Sequence, residues 1–482
     1  MTRDPSGTQG STPPKPIQLD GRMLEGGGQL VRIAIALSAL TGQSIQINHV
    51  RGNRRGKKGL KGSHLAAIKF LAELTGASVS GAELGSSTLT FHPQPCSSRV
   101  AVRSHVDIQQ TTAGSVFLVF QALYPYLLHA GETDPITLTI TGGTNVSCSP
   151  SFDYVAQVLV PNLARLGLPP LTVCLDRRGW ATGPVSLGKV TIRVDPLRRR
   201  DSSSNDNDND DDDDDDDGLI SQFPPIGLAQ YRRGSVTQID VTVLAPDEAP
   251  PARWRGQRGN GRVNAGGRRR GPDWGSDRCD DTGSIRQCVE QEMLIQLRRG
   301  LRRLPRGIFH GQGSPIAGNG DGEETDDVPI RVHTTEATGH FSHLYVLIVA
   351  HTSTGFRVGH DALYCGAKAE RRGRQSRGED RHAAGAMVVA ARELAKDCVA
   401  GFLQELYDPR LQGSTLDGVG GRQPCVDEHL RDQMVIFEAL GRAQERQSVD
   451  KEDERYWSLH TRTAQWVCEE ILQQHSGANV HG

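Results

Sequence analysis

One pattern of helix, strand, helix and short strands occurs twice within the first 195 residues, and a chain that repeats such a unit has few ways to bury it. In the first copy Leu30, Ile33, Leu37 and Leu40 form one helical stripe over 29–41, with Gly42 placed to cap it. Ser44 to Asn48 alternates as a half-buried strand does, and Leu65, Ile68, Leu71 and Leu74 mark a second helix over 64–75, closed by Gly76. The second copy has helix 114–129, strand Ile136 to Thr141, helix 152–166 and strands near Leu171 to Cys174 and Lys189 to Val194. A third copy is expected from helices near 426–440 and 459–474, with a degraded middle. A layer of two helices on a small sheet cannot cover both of its faces, so the copies are expected to share their helical faces in one core.

Chemistry concentrates where the first helix begins. Glu25-Gly26-Gly27-Gly28-Gln29 places three glycines directly before the helix, with Arg32 one turn inside it. Such a corner leaves backbone N–H groups open to an anion, with Glu25 free for a metal ion or hydroxyl. Plain turn chemistry produces the same string, and neither the P-loop nor the dinucleotide spacing is met. Between strand and second helix, Arg51, Arg54, Arg55, Lys57, Lys58 and Lys61 put six cations into eleven residues ahead of His64. That density suits a polyanion; a solvated surface loop is the plainer reading.

Taken together, these segments resemble the RNA 3'-terminal phosphate cyclases. Members of that family carry an acidic residue before a Gly-Gly-Gly-Gln run, an arginine pair matching Arg51 and Arg54, and a histidine at a helix start matching His64. Gly81 to Ser86 before the strand Thr88 to Phe91 fits too, and so do Val426 to Gln433 and Leu459 to Ala464 near the C-terminus. The resemblance covers roughly 17–195 and 331–475. It implies an α/β (α+β) fold of three repeated two-helix, small-sheet units forming a large domain, with a smaller α/β domain inserted. The expected layout is 17–195 and 418–475 for the large domain and 228–417 for the insert, flanked by 1–16 and 476–482. Within the insert, strand Val236 to Val243, helix Ile285 to Leu304, strand Leu344 to Val349 and helix Ala384 to Leu406 are expected.

The same resemblance implies an ATP-dependent ligase that converts an RNA 3'-phosphate to a 2',3'-cyclic phosphate. His460 would be the nucleophile; an imidazole with the ordinary pKa of about 6.5 is mostly unprotonated at neutral pH. Gln121, His429, Leu430, Arg431, Asp432 and Gln433 would hold ATP, and Asp432 with Gln433 would orient the histidine. Arg32, Arg51, Arg54 and His64 would meet RNA or ATP phosphates, and Glu25 would touch Mg²⁺ or Mn²⁺. Two alternatives are a non-catalytic relative acting in ribosome assembly, which His460 opposes, and a transferase of small phosphorylated acids sharing only the repeat architecture. The chain departs from the family at Arg178 to Gly188, where a triple glycine is lost, at Ser63, at His429 in place of an aromatic residue, and over Gln444 to Arg455, charged where relatives place a strand.

Composition agrees with an intracellular RNA enzyme. A chain of 482 residues with 36% hydrophobic content is long enough for two cores. No run of about 18 apolar residues predicts a membrane span, and 1–16 lacks the apolar centre of a signal peptide. Nine cysteines without a Cys-x-x-Cys pair argue against a disulfide framework or zinc site and for a reducing compartment. The net charge of -2 hides a segregation: Asp206, Asp208 and Asp210 to Asp217 form an acidic block, and the rest of the chain is positive without it. The segments 196–227, 250–281 and 371–381 read as disordered insertions. The arginines between Arg253 and Arg270 are consistent with RNA contact or a nuclear address.

Overall fold

The computed structural model describes residues 15–94, 102–130, 134–197, 223–247, 284–310, 328–366, 380–409, 423–442 and 457–478. The acidic block, the Arg253–Arg270 stretch and Gln444 to Arg455 lie outside these residues. Among the described residues no helix is long and apolar enough to cross a membrane.

The repeat is visible as topology. The first unit runs β1 (Ile17–Asp20), α1 (Gly28–Thr41), β2 (Ile45–Asn48), α2 (Gly62–Thr75), β3 (Ser78–Ser80) and β4 (Leu89–His92), with sheet order β1-β2-β4-β3. The second runs β5 (His105–Gln109), α3 (Val116–Ala130), β6 (Ile136–Gly142), a broken helix, β7 (Leu171–Arg177) and β8 (Gly188–Val194), ordered β5-β6-β8-β7. In each sheet the first two strands in that order pair parallel and the rest antiparallel. The α/β reading holds. Strands β1 and β5 escape the sequence reading because they are edge strands of only four and five residues, although each alternates apolar and polar residues.

The broken helix has a local cause. It passes from α4 (Phe152–Tyr154) through a π turn, Val155–Leu159, into α5 (Val160–Arg165). Pro161 has no N–H for the carbonyl of Gln157, and Arg357 Nη1 donates to that carbonyl instead at 2.8 Å.

The third sheet, ordered β10-β9-β11-β12, is built from β9 (Val236–Pro246), β10 (Ile330–Thr338), β11 (Tyr345–Thr352) and β12 (Arg357–Leu363). Helices α6 (Ile285–Leu301) and α7 (Asp380–Leu406) cover the face that carries Val241, Val243, Val346 and Ile348. Alternate residues of the same strands, Leu244, Tyr345, Leu347 and Val349, join the core of the first two units. A sheet buried on both faces explains the unbroken apolar run of β11. Strand β10 is an exposed edge with a bulge, and its sequence gave no strand pattern.

The third copy contributes α8 (Glu428–Arg442) and α9 (Leu459–Ala478), and no strand of it lies among the described residues. Helix α9 packs on α1 and α8, and α1 also meets α2 and α3. Helix α1 is therefore central: only Arg32 and Thr41 of its residues are not buried. Truncating a core leucine there, such as Leu37, costs about 2–5 kcal/mol. Its polar residues must find partners inside, and Gln29 finds two that organise the site.

Candidate active site

Each glycine of the corner answers to a different neighbour. Gly26 has φ +57, which glycine adopts freely. A Cβ on Gly27 would lie 2.2 Å from Glu25 Oε1, and one on Gly28 would lie 2.7 Å from His64 Nε2 and 3.1 Å from Arg32 Nη1. Gly27 caps α1 without any side-chain hydrogen bond, so the first N–H groups of the helix are left to an incoming acceptor. The glycines thus bring Glu25, His64 and Arg32 against one uncapped helix start.

Helix α9 begins opposite. Ser458 accepts from the Thr461 N–H at 2.9 Å, and the Asp432 carboxylate accepts from both the Ser458 and Thr461 hydroxyls. Asp432 therefore ties the α9 start to α8. Asp432 makes no direct hydrogen bond to His460 and acts on it through the α9 start, while Gln433 donates to the carbonyl of His429. The residue that orients His460 is Gln29. Its amide nitrogen donates to the Asp432 carbonyl at 3.2 Å, which turns Oε1 toward His460 Nδ1 at 2.9 Å. A carbonyl oxygen only accepts, so Nδ1 carries the proton and Nε2 keeps its lone pair. The sequence signal for Gln29 was a polar residue at the start of a mostly apolar helix whose other polar side chains are Arg32, Ser38 and Thr41.

Glu25 Oε2 lies 3.3 Å from the same Nδ1, and Oε1 lies 2.6 Å from Arg54 Nη2. Neither approach is aligned as a hydrogen bond, and both oxygens are buried without one. Such a carboxylate fits one contact to a hard cation. Among the described residues no three His, Cys, Asp or Glu converge to hold a metal, so phosphate oxygens and water would complete its shell.

The cations divide into distinct groups. Arg32 donates from Nε to Gln121 Oε1 at 2.8 Å, and burial pulls its pKa down to about 10, still charged at neutral pH. His64 accepts the Lys61 N–H on Nδ1 at 3.2 Å, leaving Nε2 as its N–H toward Gly28. Burial, then Arg32, Arg51 and Lys61, drive its pKa down to about 3, so it is a neutral donor. Arg51 is buried and donates to the carbonyls of Lys57 and Gly59 at 2.8 and 3.2 Å. Part of its guanidinium is spent on holding the basic loop together.

Behind His460 opens a cleft of about 470 Å³, lined by Gln29, Arg32, Gln121, Asn145 to Ser151, Tyr154, Tyr345, Asp361, Glu428, His429, Asp432 and Gln433 among others. Leu430 and Arg431 do not line it: Leu430 is in the core and Arg431 is buried away from the cleft wall. Helical period explains this, since neighbours on α8 point to different sides. The α8 start is fixed by Asp427, which accepts from Leu430 N, Gly359 N and the Tyr154 hydroxyl. The cleft wall supplied by β11 and β12, Tyr345 and Asp361, was missed, because nothing in those strands marks them as polar-facing. His429 lies edge-on to Tyr154 with ring centroids 6.2 Å apart. Burial works against its charge, but Asp427, Asp361, Glu405 and Glu428 raise its pKa above the ordinary value.

The family model for RNA 3'-terminal phosphate cyclase matches residues 23–476. The chain belongs to that family. It is 41% identical over 183 residues to an RNA 3'-terminal phosphate cyclase of Koribacter versatilis, a match covering 38% of this chain and 48% of the relative. It is 39% identical over 183 residues to the one of Pyrobaculum aerophilum, covering 38% and 49%. For Thermococcus sibiricus the figures are 43% over 174 residues, covering 36% and 47%. The chain spans about half the length of the curated relatives it matches.

The departure at 178–188 acquires a physical role in this cyclase-family chain. Arg178 grips Asp153 through both terminal nitrogens at 2.8 and 3.1 Å, and its Nε reaches Glu336 on β10 at 2.8 Å. Trp180 stacks on His343, centroids 4.6 Å apart. The altered turn joins the second unit to the third sheet.

Proposed function

We propose that this chain cyclises RNA 3'-terminal phosphates at the expense of ATP, as a ligase-class enzyme working through an adenylylated His460. The observation that carries the reading is His460 itself: its Nδ1 is engaged by Gln29 and its Nε2 is free beside an uncapped helix start and a nucleotide-sized cleft. Nε2 attacks the α-phosphorus of ATP, the bond to the β-phosphate oxygen breaks, and pyrophosphate leaves. The Gly27–Gln29 N–H groups, Arg32 and the neutral His64 are the donors for the phosphates. Gln121 fixes Arg32, and His429 and Gln433 line the nucleotide cleft with Asp432. A bound divalent cation, Mg²⁺ or Mn²⁺, neutralises triphosphate charge, and Glu25 is the carboxylate to hold it.

An oxygen of the RNA 3'-phosphate then attacks the phosphorus of the histidine adenylate, and the imidazole leaves. The adjacent 2'-hydroxyl attacks the activated RNA phosphorus, loses its proton, and displaces AMP as the cyclic phosphate closes. Proximity supplies much of that intramolecular step. Arg54 and the exposed cations of the basic loop, Arg55, Lys57 and Lys58, are the groups to meet the RNA. A nuclear location is proposed on the arginines between Arg253 and Arg270; their deletion without change of distribution in cells removes it.

The decisive test is incubation with α-labelled ATP and Mg²⁺. A protein-bound, acid-labile AMP label that requires His460 is expected, followed by conversion of 3'-phosphate RNA to the cyclic product. An enzyme preparation that takes up no label sinks the reading.

A further inference from the structure

Three of the eight exposed large hydrophobic residues among those described, Met23, Leu24 and Leu459, lie in the two segments that bring Glu25 and His460 together. Leu24 precedes Glu25 and is 39% exposed; Leu459 precedes His460 and is 54% exposed. One hydroxyl joins them: Thr463 Oγ1 accepts from the Glu25 N–H at 3.2 Å and donates to the Leu459 carbonyl at 2.7 Å. The two leucines therefore flank the ends of the Glu25–His460 contact.

The loop holding Leu24 is built against its own preference. Leu24 has φ +51, a conformation that side-chain-bearing residues other than Asn and Asp adopt rarely. The Asn53 amide clamps it, donating to the carbonyls of Arg22 and Leu24. Asn53 also leads directly into Arg54 and Arg55, so the apolar pair borders the loop of cations. None of Met23, Leu24 and Leu459 lines the cleft behind His460.

We propose that Leu24 and Leu459, with Met23 beside them, seat the nucleobase of the RNA's terminal nucleotide. The proposal rests on the RNA-cyclase reading above. An RNA whose 3'-phosphate reaches the adenylate on His460 brings its last base within a nucleoside's length of that phosphorus. The base needs an apolar surface for its ring faces, while its phosphodiesters need cations, and this rim offers both side by side. Aliphatic side chains carry no hydrogen-bonding code. The seat therefore favours large ring systems over small ones and is indifferent to the base's pairing edge.

The test is equilibrium binding, by fluorescence anisotropy, of short 3'-phosphate RNAs that end in adenosine or in an abasic ribose. Wild-type protein is compared with Leu459→Ser and Leu24→Asn, the second chosen because Asn tolerates the left-handed backbone. Both positions are exposed, so the variants are expected to fold, and circular dichroism checks this. Wild type is expected to bind the adenosine-ended RNA about five- to tenfold more tightly than the abasic one. Each variant is expected to shrink that ratio toward one while binding the abasic RNA as wild type does. A wild type indifferent to the terminal base, or folded variants that keep the full ratio, would overturn the proposal. Binding of neither RNA by wild type overturns it together with the cyclase reading. Loss of base-dependent binding in the variants, alongside a wild type that takes no AMP label, upholds the seat and overturns only the adenylylation.

Discussion

Gln29 and His460, 431 residues apart in the chain, meet at 2.9 Å, and the direction of that hydrogen bond sets which imidazole nitrogen is available. Gln29 is buried in the central helix and its other amide atom is committed to the Asp432 carbonyl, so it cannot flip without losing both bonds. Asp432 in turn fixes the start of α9 through Ser458 and Thr461. One glutamine thus couples the first copy of the repeat to the third and fixes the tautomer of His460, the proposed nucleophile.

From this coupling, Gln29→Ala is expected to slow AMP labelling by about ten- to a hundredfold, equivalent to about 1.4–3 kcal/mol of orientation lost. Glu25 remains near Nδ1 and should preserve residual activity. His460→Ala is expected to abolish labelling in a folded protein. The measurement is the single-turnover labelling rate at saturating ATP. An unchanged rate in Gln29→Ala would move the orienting role to Glu25 alone.

The arginine pair separates into a structural and a chemical partner. Arg51→Ala removes a buried guanidinium from two carbonyls, and a loss of about 2–4 kcal/mol in unfolding free energy is expected. Arg54→Ala removes a partly exposed guanidinium that pairs, among the described residues, with Glu25, and the fold should tolerate it. Its effect should fall on transfer of AMP from preformed adenylylated enzyme to 3'-phosphate RNA, slowed about tenfold or more. Urea unfolding and single-turnover transfer on both variants check this. Equal stability with equal slowing of transfer would return Arg51 to the RNA contact.

What could be read from the sequence follows from where each signal is stored. Helices α1, α2 and α3 were legible because each has a strongly apolar face, and the αL glycines Gly42 and Gly76 close two of them as expected. The Glu25–Gln29 corner and His460 were legible because their residue types are unusual in that order. Roles decided by direction were not. Leu430 and Arg431 stand beside His429 in sequence, yet the helical turn sends them away from the cleft. Arg51 and Arg54 are alike on paper, and only the left-handed backbone at Arg51, φ +56, turns its side chain inward to the loop carbonyls. Tyr345 and Asp361 reach the cleft from strands distant in sequence, a pairing that residue spacing does not encode.

His64 makes stability sensitive to acid. Its folded pKa is lowered to about 3, whereas in the unfolded chain an ordinary value of about 6.5 applies. A depressed histidine pKa means the unfolded state binds the extra proton, so its contribution is fully present above about pH 6.5 and is lost as pH falls toward 3. Between pH 7 and 5 the expected loss is about 2 kcal/mol. Urea midpoints at both pH values should fall more for wild type than for His64→Gln, which has no proton to take up. An equal drop in both proteins would locate the acid sensitivity elsewhere.

Gly28 decides between the two readings of the glycine corner. It is the first residue of α1, and as turn chemistry alone it is replaceable: Ala favours a helix over Gly by about 1 kcal/mol. If instead the helix start is a phosphate cradle, the added methyl occupies the space it needs. That Cβ would lie 2.7 Å from His64 Nε2 and 3.1 Å from Arg32 Nη1, the two side chains that converge on the uncapped N–H groups. Arg32 is tethered to Gln121 and His64 to the Lys61 N–H, so neither retreats without giving up a hydrogen bond. Gly28→Ala is therefore expected to raise the ATP concentration needed for half-maximal AMP labelling by about tenfold or more, while thermal stability changes little because helix propensity offsets the crowding. The double variant Gly28→Ala/His64→Ala removes the first clash; it should not regain ATP affinity, since one phosphate donor is gone. Labelling of Gly28→Ala at wild-type ATP concentrations would reduce the corner to a turn, and the phosphates would have to be held by Arg32 and the basic loop alone.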